Sequence, residues 1–148
     1  MKCSDRILKY VTGGKSMLER DTLIYLAVPY THETDEVMNA RFEAVTRVSS
    51  HLLQVGVANI SPITLSREQS IMHTLPPEWI FWKDIDILLL KRSDELWVLT
   101  LDGWLESVGV QSEISAALAL GKPVRYIEIN DGGDIDEVYM PKVGGYGS

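Results

Sequence analysis

Cysteine is almost absent from this chain of 148 residues, in which Cys3 is the only one. A single thiol cannot close an internal disulfide, and it offers no cysteine pair at the spacing of a metal site. His32, His51 and His73 are too far apart along the sequence to show a metal-ligand spacing either. We therefore expect no disulfide and no metal, and such a protein suits a reducing cytoplasm.

Basic residues are also scarce, with 14 Lys and Arg against 21 Asp and Glu and a formal net charge of −7. Binding to a nucleic-acid polymer depends on Lys and Arg that meet its phosphates, so we expect no such partner. A nucleotide monomer is still compatible with this charge, because one local group of hydrogen-bond donors is enough to bind it.

Long apolar runs are missing as well. The apolar runs, such as residues 23–29 and 87–90, are far shorter than the roughly 20 residues that a membrane-spanning helix needs. The N-terminal residues lack the apolar core of a signal peptide. We therefore expect no membrane segment and a cytoplasmic location.

The sequence does contain an alternation of strand and helix patterns. Four short, mostly apolar segments are typical of parallel strands: residues 23–28, 57–60, 95–101 and 124–129. Three longer segments carry helical patterns: residues 36–54, 78–92 and 110–120. This order predicts one α/β domain over residues 22–129, an open doubly wound parallel sheet of four to five strands with helices on both faces.

Three segments fall outside these elements. Residues 1–21 predict an N-terminal extension with a short helix. Residues 130–148, rich in Gly and Asp, predict a C-terminal tail that is flexible or reaches a partner. Residues 61–77 predict a functional loop with one helical turn near residues 67–73, because structureless connections of this length are uncommon.

The loops define where a ligand would bind. In an open α/β sheet, ligands bind outside the carboxyl ends of the strands, which here brings together residues 29–35, 61–64 and 101–109. Trp79, Trp82 and Trp104 flank this predicted pocket. An indole can stack on a nucleobase, although core packing is its more common role.

Glu113 is the strongest candidate for chemistry. It falls in the first turn of the predicted helix 110–120, where the helix dipole favours an ionised carboxylate. Such a carboxylate can stabilise or capture the oxocarbenium-like state through which a glycosidic bond breaks. Acidic residues are also common in first turns without a catalytic role, so position alone leaves both interpretations open.

Four other residues give weaker signals. Ser107 and Gly109 lie at the same helix start, where backbone N–H groups bind anions, or they serve only as a cap and a turn. Asp86 precedes an apolar run, and a buried carboxylate needs a partner or a task. Arg41, early in the first helix, either reaches a phosphate or carboxylate or simply faces solvent.

Three segments together resemble a known group of enzymes. They are Tyr25-Leu26-Ala27-Val28-Pro29-Tyr30, then Asp86 with Ser93-Asp94-Glu95-Leu96-Trp97-Val98-Leu99, and last Ser107-x-Gly109-Val110-x-x-Glu113 with Gly121-Lys122-Pro123. In this order and spacing they resemble the nucleoside 2-deoxyribosyltransferase superfamily, which includes the deoxynucleoside-monophosphate N-glycosidases. Gly103-Trp104 is similar to an uncharacterised bacterial and phage subgroup, and the resemblance covers roughly residues 22–128.

The resemblance implies a flavodoxin-like fold and roles for the matching residues. Glu113 would be the nucleophile that forms a glycosyl-enzyme intermediate, and Asp86 would assist at the base or sugar. Ser107 and Gly109 would hold a 5′-phosphate. Members of the superfamily are homodimers or larger homo-oligomers in which a neighbour helps to complete the site.

The first loop and the nucleophile segment also depart from the superfamily. Pro29 and Tyr30 would contact sugar and base, but Val28 stands where the transferases usually have glycine. Ser107 stands where they keep an acidic residue six positions before the nucleophile. The second departure favours a nucleotide hydrolase over a nucleoside transferase.

We therefore expect an enzyme without a cofactor that cleaves or exchanges the N-glycosidic bond of a deoxynucleoside or its 5′-monophosphate. A non-catalytic module that binds a nucleotide at the same site is the alternative. An electron-transfer flavodoxin is disfavoured, because no hydroxyl- and glycine-rich phosphate loop follows the first predicted strand.

Overall fold

The computed structural model describes residues 21–140, so almost all of the predicted N-terminal extension lies outside the described residues. Within this range strands and helices alternate. The strands are β1 (Ile24–Ala27), β2 (Asn59–Ile60), β3 (Glu95–Leu99), β4 (Val124–Ile129) and β5 (Ile135–Tyr139). The helices are α1 (Asp35–Gln54), α2 (Pro62–His73), α3 (Trp79–Arg92) and α4 (Val108–Ala119). Across residues 21–140, none of the helices has the length and apolar character to cross a membrane.

The five strands form one sheet in the order β2-β1-β3-β4-β5. Neighbouring strands from β2 to β4 are parallel, and β5 is antiparallel to β4. This order is that of flavodoxin-like doubly wound sheets, so the predicted fold class is confirmed. The order reverses between β1 and β3, where such sheets open a crevice at their carboxyl edge.

Side-chain alternation along β1 divides the core into two layers. Ile24 and Leu26 pack with α1 and α2 on one face of the sheet, through residues such as Val48. Tyr25 and Ala27 pack with α3 and α4 on the other face. The sheet therefore separates the α1–α2 layer from the α3–α4 layer, and Tyr25 packs on the α3–α4 side.

The prediction of a flexible tail from residue 130 is wrong over residues 135–139, which form strand β5. A tight turn precedes it, in which the Asn130 side chain accepts hydrogen bonds from the backbone of Gly132 and Asp134 at 3.0 and 3.1 Å. The register shifts between Glu128 and Ile129, so Ile135 and Val138 are both buried although they lie three residues apart. Because of that spacing, the sequence of β5 does not show the two-residue alternation of apolar residues that is typical of a strand. Residues 141–148 lie outside the described residues.

The prediction of a loop over residues 61–77 is wrong, because most of this segment forms helix α2. It spans Pro62–His73, with Ser61 at its N-cap position and Pro62 in its first turn. Leu65, Ile71 and Met72 are all exposed on it, so its apolar residues do not form a single stripe. A Ser-Pro pair is nonetheless a recognised helix start, and it is the signal that would have revealed α2.

Candidate active site

A cavity of about 1180 Å³ lies at the carboxyl edge of the sheet, beside the reversal between β1 and β3. All three predicted loops contribute to its walls, together with α1, α2 and the starts of α3 and α4. Among the residues predicted for the site, Pro29, Tyr30, Arg41, Asp86, Ser107, Gly109 and Glu113 line it. Trp104 does not.

Two carboxyl groups from adjacent helices line the buried end of this cavity. Asp86 belongs to α3 and Glu113 to α4, and their exposed fractions are only 8% and 5%. Burial raises the pKa of Asp86 to about 6. Burial also raises the pKa of Glu113 to about 8, and the charge of Asp86 pushes it in the same direction. The Asp86 carboxyl is therefore close enough to affect the ionisation of Glu113.

The position of Glu113 differs from the prediction. Helix α4 begins at Val108, so Glu113 is its sixth residue and lies beyond the first turn. The helix dipole falls off within that turn, so it gives Glu113 little support as a carboxylate. Desolvation dominates instead, because it penalises the charged form of a buried acid.

The Tyr25 side chain approaches both acids from the sheet. It is fully buried on β1, and its hydroxyl interacts with Glu113, which lowers the pKa of that carboxyl against the effect of burial. Burial, followed by the charges of Glu113 and Asp86, raises the pKa of Tyr25 well above its usual range. The contact is too loose for a regular hydrogen bond, and the hydroxyl has no other partner among residues 21–140. Contacts of this kind tighten in enzymes when substrate binds.

The start of α4 is built from Ser107 and Gly109. The Ser107 hydroxyl accepts a hydrogen bond from the Val110 N–H at 3.2 Å and so caps the helix. The Trp79 ring lies against Gly109, where a Cβ atom would come within 3.5 Å of ring carbon Cε3. Part of the donor set expected to hold an anion is therefore used by the helix cap and covered by the indole.

Aromatic side chains stand next to Asp86 on α3. Trp79, Trp82 and Asp86 are spaced three and four residues apart, which places them on one helix face, and all three line the cavity. The Trp82 Nε1 donates to the Pro76 carbonyl at 2.7 Å, which fixes its indole.

The position of Trp104 disagrees with the prediction that it contacts the ligand. Its ring packs at 5.4 Å from the ring of Tyr126 on β4, against the core of the α3–α4 face. The cause is local: the Trp104 N–H bonds the Leu101 carbonyl at 3.0 Å, and Gly103 has a φ of +92° between them. This turn directs the indole to the sheet rather than to the cavity.

A family model for a domain of unknown function, DUF1937, matches residues 22–129. The chain belongs to this family. The matched range includes both carboxyls, Tyr25 and every wall of the cavity, and it ends before β5. No curated protein matches the chain. The DUF1937 description does not name a deoxyribosyltransferase-like superfamily, so that resemblance stays a prediction.

Arg41 has a structural task in this DUF1937 domain. Its guanidinium donates to the carbonyls of Tyr30, Thr31 and Asp102, at 3.3, 3.1 and 2.8 Å. It therefore ties the loop after β1 to the loop after β3, across the point where the strand order reverses. The prediction that Arg41 either binds a ligand anion or faces solvent missed this third use.

Gly103 allows this tie, because a Cβ atom there would lie 2.6 Å from the Arg41 Nη2. We expect Gly103→Ala to lower the free energy of unfolding by about 2–4 kcal/mol, from left-handed backbone strain plus lost hydrogen bonds. Urea denaturation measures it. Gly121→Ala is the matched control, since Gly121 also has a positive φ, +70°, but open space around it. Equal losses in both variants would contradict the tie.

Sequence reasoning missed one residue that lines the cavity and placed near the ligand another residue that does not line it. Arg67 of α2 lines the cavity, and nothing in a segment predicted as a loop singled it out. Two histidines belong to the segments 29–35 and 61–77 that were predicted around the ligand: His32 lines the cavity, and His73, exposed at the end of α2, does not. Within the described range, no three His, Cys, Asp or Glu residues are grouped to hold a metal ion.

Proposed function

We propose that this protein cleaves or exchanges the N-glycosidic bond of a deoxynucleoside or its 5′-monophosphate. One observation carries the proposal: two buried carboxyls, Asp86 and Glu113, come from adjacent helices to line one cavity beside a pair of indoles. Glycosidic cleavage needs two carboxyl groups in different protonation states, and the pKa values of this pair, about 6 and about 8, differ enough for one group to be ionised while the other is protonated. The roles proposed below use the minor of the two singly protonated forms, since Glu113 has the higher pKa.

Glu113 acts as the nucleophile. In its ionised form it attacks C1′ of the sugar, and the electron pair of the breaking C1′–N bond goes to the base nitrogen. Asp86, in its protonated form, gives its proton to that nitrogen. Water then attacks C1′ and loses a proton to Asp86, which frees Glu113; a second base in place of water gives exchange.

The indoles place the base beside the acid. Trp82 precedes Asp86 by one turn on the same face of α3, an axial distance of about 6 Å. A base stacked on this indole lies within reach of the Asp86 carboxyl, and base–aromatic stacking accepts any base. Tyr25 is then a positioning residue, since its hydroxyl faces the Glu113 carboxyl from the sheet side and favours its ionised form.

Base release tests the proposal. The purified protein is incubated with a panel of deoxynucleosides and their monophosphates, and free base is measured by chromatography. Adding a second base to the same reactions separates exchange from hydrolysis. Turnover on at least one member supports the proposal, whereas calorimetric binding without any product would favour a nucleotide-binding module instead.

We also propose that the protein self-associates through α3. Phe81, Ile85 and Leu88 recur at four and three residues, so they share one face of this helix, and their exposed fractions are 42%, 46% and 52%. A helix face of this kind normally packs on a partner.

We expect Ile85→Lys to convert the assembly to monomers, because a charge in the centre of an apolar contact loses its hydration without gaining a partner. Light scattering on a sizing column measures the mass. Leu53→Lys is the control, since Leu53 is equally exposed, at 57%, but lies on α1. A monomeric wild-type protein, or an Ile85→Lys variant that still assembles, would contradict the role of α3.

A further inference from the structure

Two arginines in the cavity wall have no acidic partner. Arg47 pairs with Asp134 at 2.9 Å and Arg125 with Glu95 at 2.7 Å, both away from the cavity. Arg41 and Arg67 line the cavity, and neither lies within 4.0 Å of a carboxylate of residues 21–140. In a protein with a net charge of −7, unneutralised cations at one site point to an anionic ligand.

Arg67 is held in place by neutral groups. Its Nε donates to the Tyr30 hydroxyl at 3.2 Å, and its Nη2 donates to the Asn39 side chain. Its guanidinium also stacks on the Phe42 ring, with 4.2 Å between Cζ and the ring centroid. Nη1 makes no hydrogen bond with any residue of the described range, so an oriented cation keeps N–H groups for a ligand.

Charges of opposite sign come from opposite faces of the sheet. The cationic side chains, Arg41 and Arg67, belong to the α1–α2 side. Carboxyls of α3, α4 and the residues directly before them line the other side of the cavity: Glu78, Asp86, Glu106 and Glu113. A ligand with an anionic end and a reacting end is therefore oriented by this field, with its anion toward α2.

The start of α4 is a poorer place for that anion. The Val110 N–H is already used in the hydrogen bond to the Ser107 cap, and the Trp79 ring packs against Gly109. Glu106 stands directly before the cap and also lines the cavity. Its negative charge opposes a phosphate at the helix start, although such starts otherwise bind anions well.

We propose that Arg67 binds the 5′-phosphate of the substrate, which makes the substrate a nucleoside monophosphate and α2, rather than the start of α4, its specificity element. This inference rests on the proposed N-glycosidic reaction and selects among its substrates. Arg41 adds long-range positive charge, but three of its five N–H groups donate to backbone carbonyls. Arg67 is thus the residue that separates nucleotides from nucleosides.

The test compares Arg67→Met with the wild type on one deoxynucleoside and on its 5′-monophosphate. We expect the wild type to prefer the monophosphate, and the variant to show a KM for it raised by about 10- to 100-fold with kcat little changed. The loss on the free nucleoside should be much smaller, because that substrate has no phosphate for Arg67 to bind. Arg67→Lys should recover part of the affinity, because it keeps the charge without the fork.

Equal losses on both substrates would overturn the inference, as would a wild type that prefers the nucleoside, and in either case the N-glycosidic reaction would stand. If no substrate is cleaved, the proposed reaction fails, and calorimetry with the monophosphate still decides the role of Arg67. Binding that Arg67→Met abolishes supports it; binding absent from the wild type or unaltered in the variant overturns it. Arg92→Met, at the exposed end of α3, is the control for a general loss of positive charge.

Discussion

Replacing Glu113 with glutamine is expected to lower kcat for base release by about 10⁴-fold or more, since removing a nucleophile costs about this much in enzymes with covalent intermediates. Glutamine has the size of glutamate but cannot become an anion that attacks C1′. The Glu113 side chain is almost fully buried, so a substitution of equal size preserves the packing of α4 against the sheet. Initial rates of base release on the best substrate measure the effect.

Two controls make this expectation specific. Glu106→Gln removes another carboxyl that lines the cavity, but from an exposed position outside α4, and should leave kcat within a few-fold of the wild type. Calorimetry should show that Glu113→Gln still binds the substrate. A Glu113→Gln variant that retains a tenth of the wild-type rate would rule out this residue as the nucleophile.

The sheet was predictable from sequence because its central strands are buried on both faces. Such strands form continuous apolar runs, as in Leu96 to Leu99, and helical patterns separate them. The two elements that were not predicted, β5 and α2, lack a regular spacing of apolar residues. In β5 a register shift places Ile135 and Val138 on the same side, and in α2 the exposed Ile71 and Met72 blur the apolar stripe.

The site was predictable only in part, for a physical reason. Glu113 and Asp86 stand out in sequence because acids are unusual near apolar runs, and Ser107 and Gly109 because they mark a helix start. Tyr25 gives no such signal, since a tyrosine in an apolar strand is ordinary core until the fold brings a carboxyl to its hydroxyl. Arg67 can be recognised as a site residue only in the folded protein. There α2 packs on α1 and brings Arg67 to Tyr30, although the two residues are far apart along the chain.

The ionisation of Glu113 should also control stability. Burial raises its pKa from 4.5 to about 8 in the folded protein, so the folded state binds a proton there that the unfolded chain has released. For a raised pKa, the stabilising contribution is complete below the unfolded value and is lost as the pH rises through the folded one. The full loss between pH 5 and pH 9 is of the order of 4 kcal/mol.

Glu113→Gln should therefore be more stable than the wild type in alkaline solution. Its melting temperature should exceed that of the wild type by about 10 °C at pH 9, because an uncharged amide replaces a buried anion, and this advantage should vanish at pH 5. Thermal unfolding across that range measures it. Asp86→Asn is the matched control: burial raises the pKa of Asp86 only to about 6, so its advantage should be smaller and complete at lower pH.

The same two ionisations should shape the pH dependence of the reaction. Glu113 must be ionised to attack and Asp86 protonated to donate. Because Glu113 has the higher pKa, this is the minor form of the singly protonated pair, about one molecule in a hundred, and its share is greatest between the two pKa values, about 6 and about 8. We expect a bell-shaped profile of kcat/KM over this window. The carboxylate that the reaction needs is therefore the one that destabilises the fold, as is common at active sites. A melting difference between Glu113→Gln and the wild type that does not change with pH would contradict a buried, reactive Glu113.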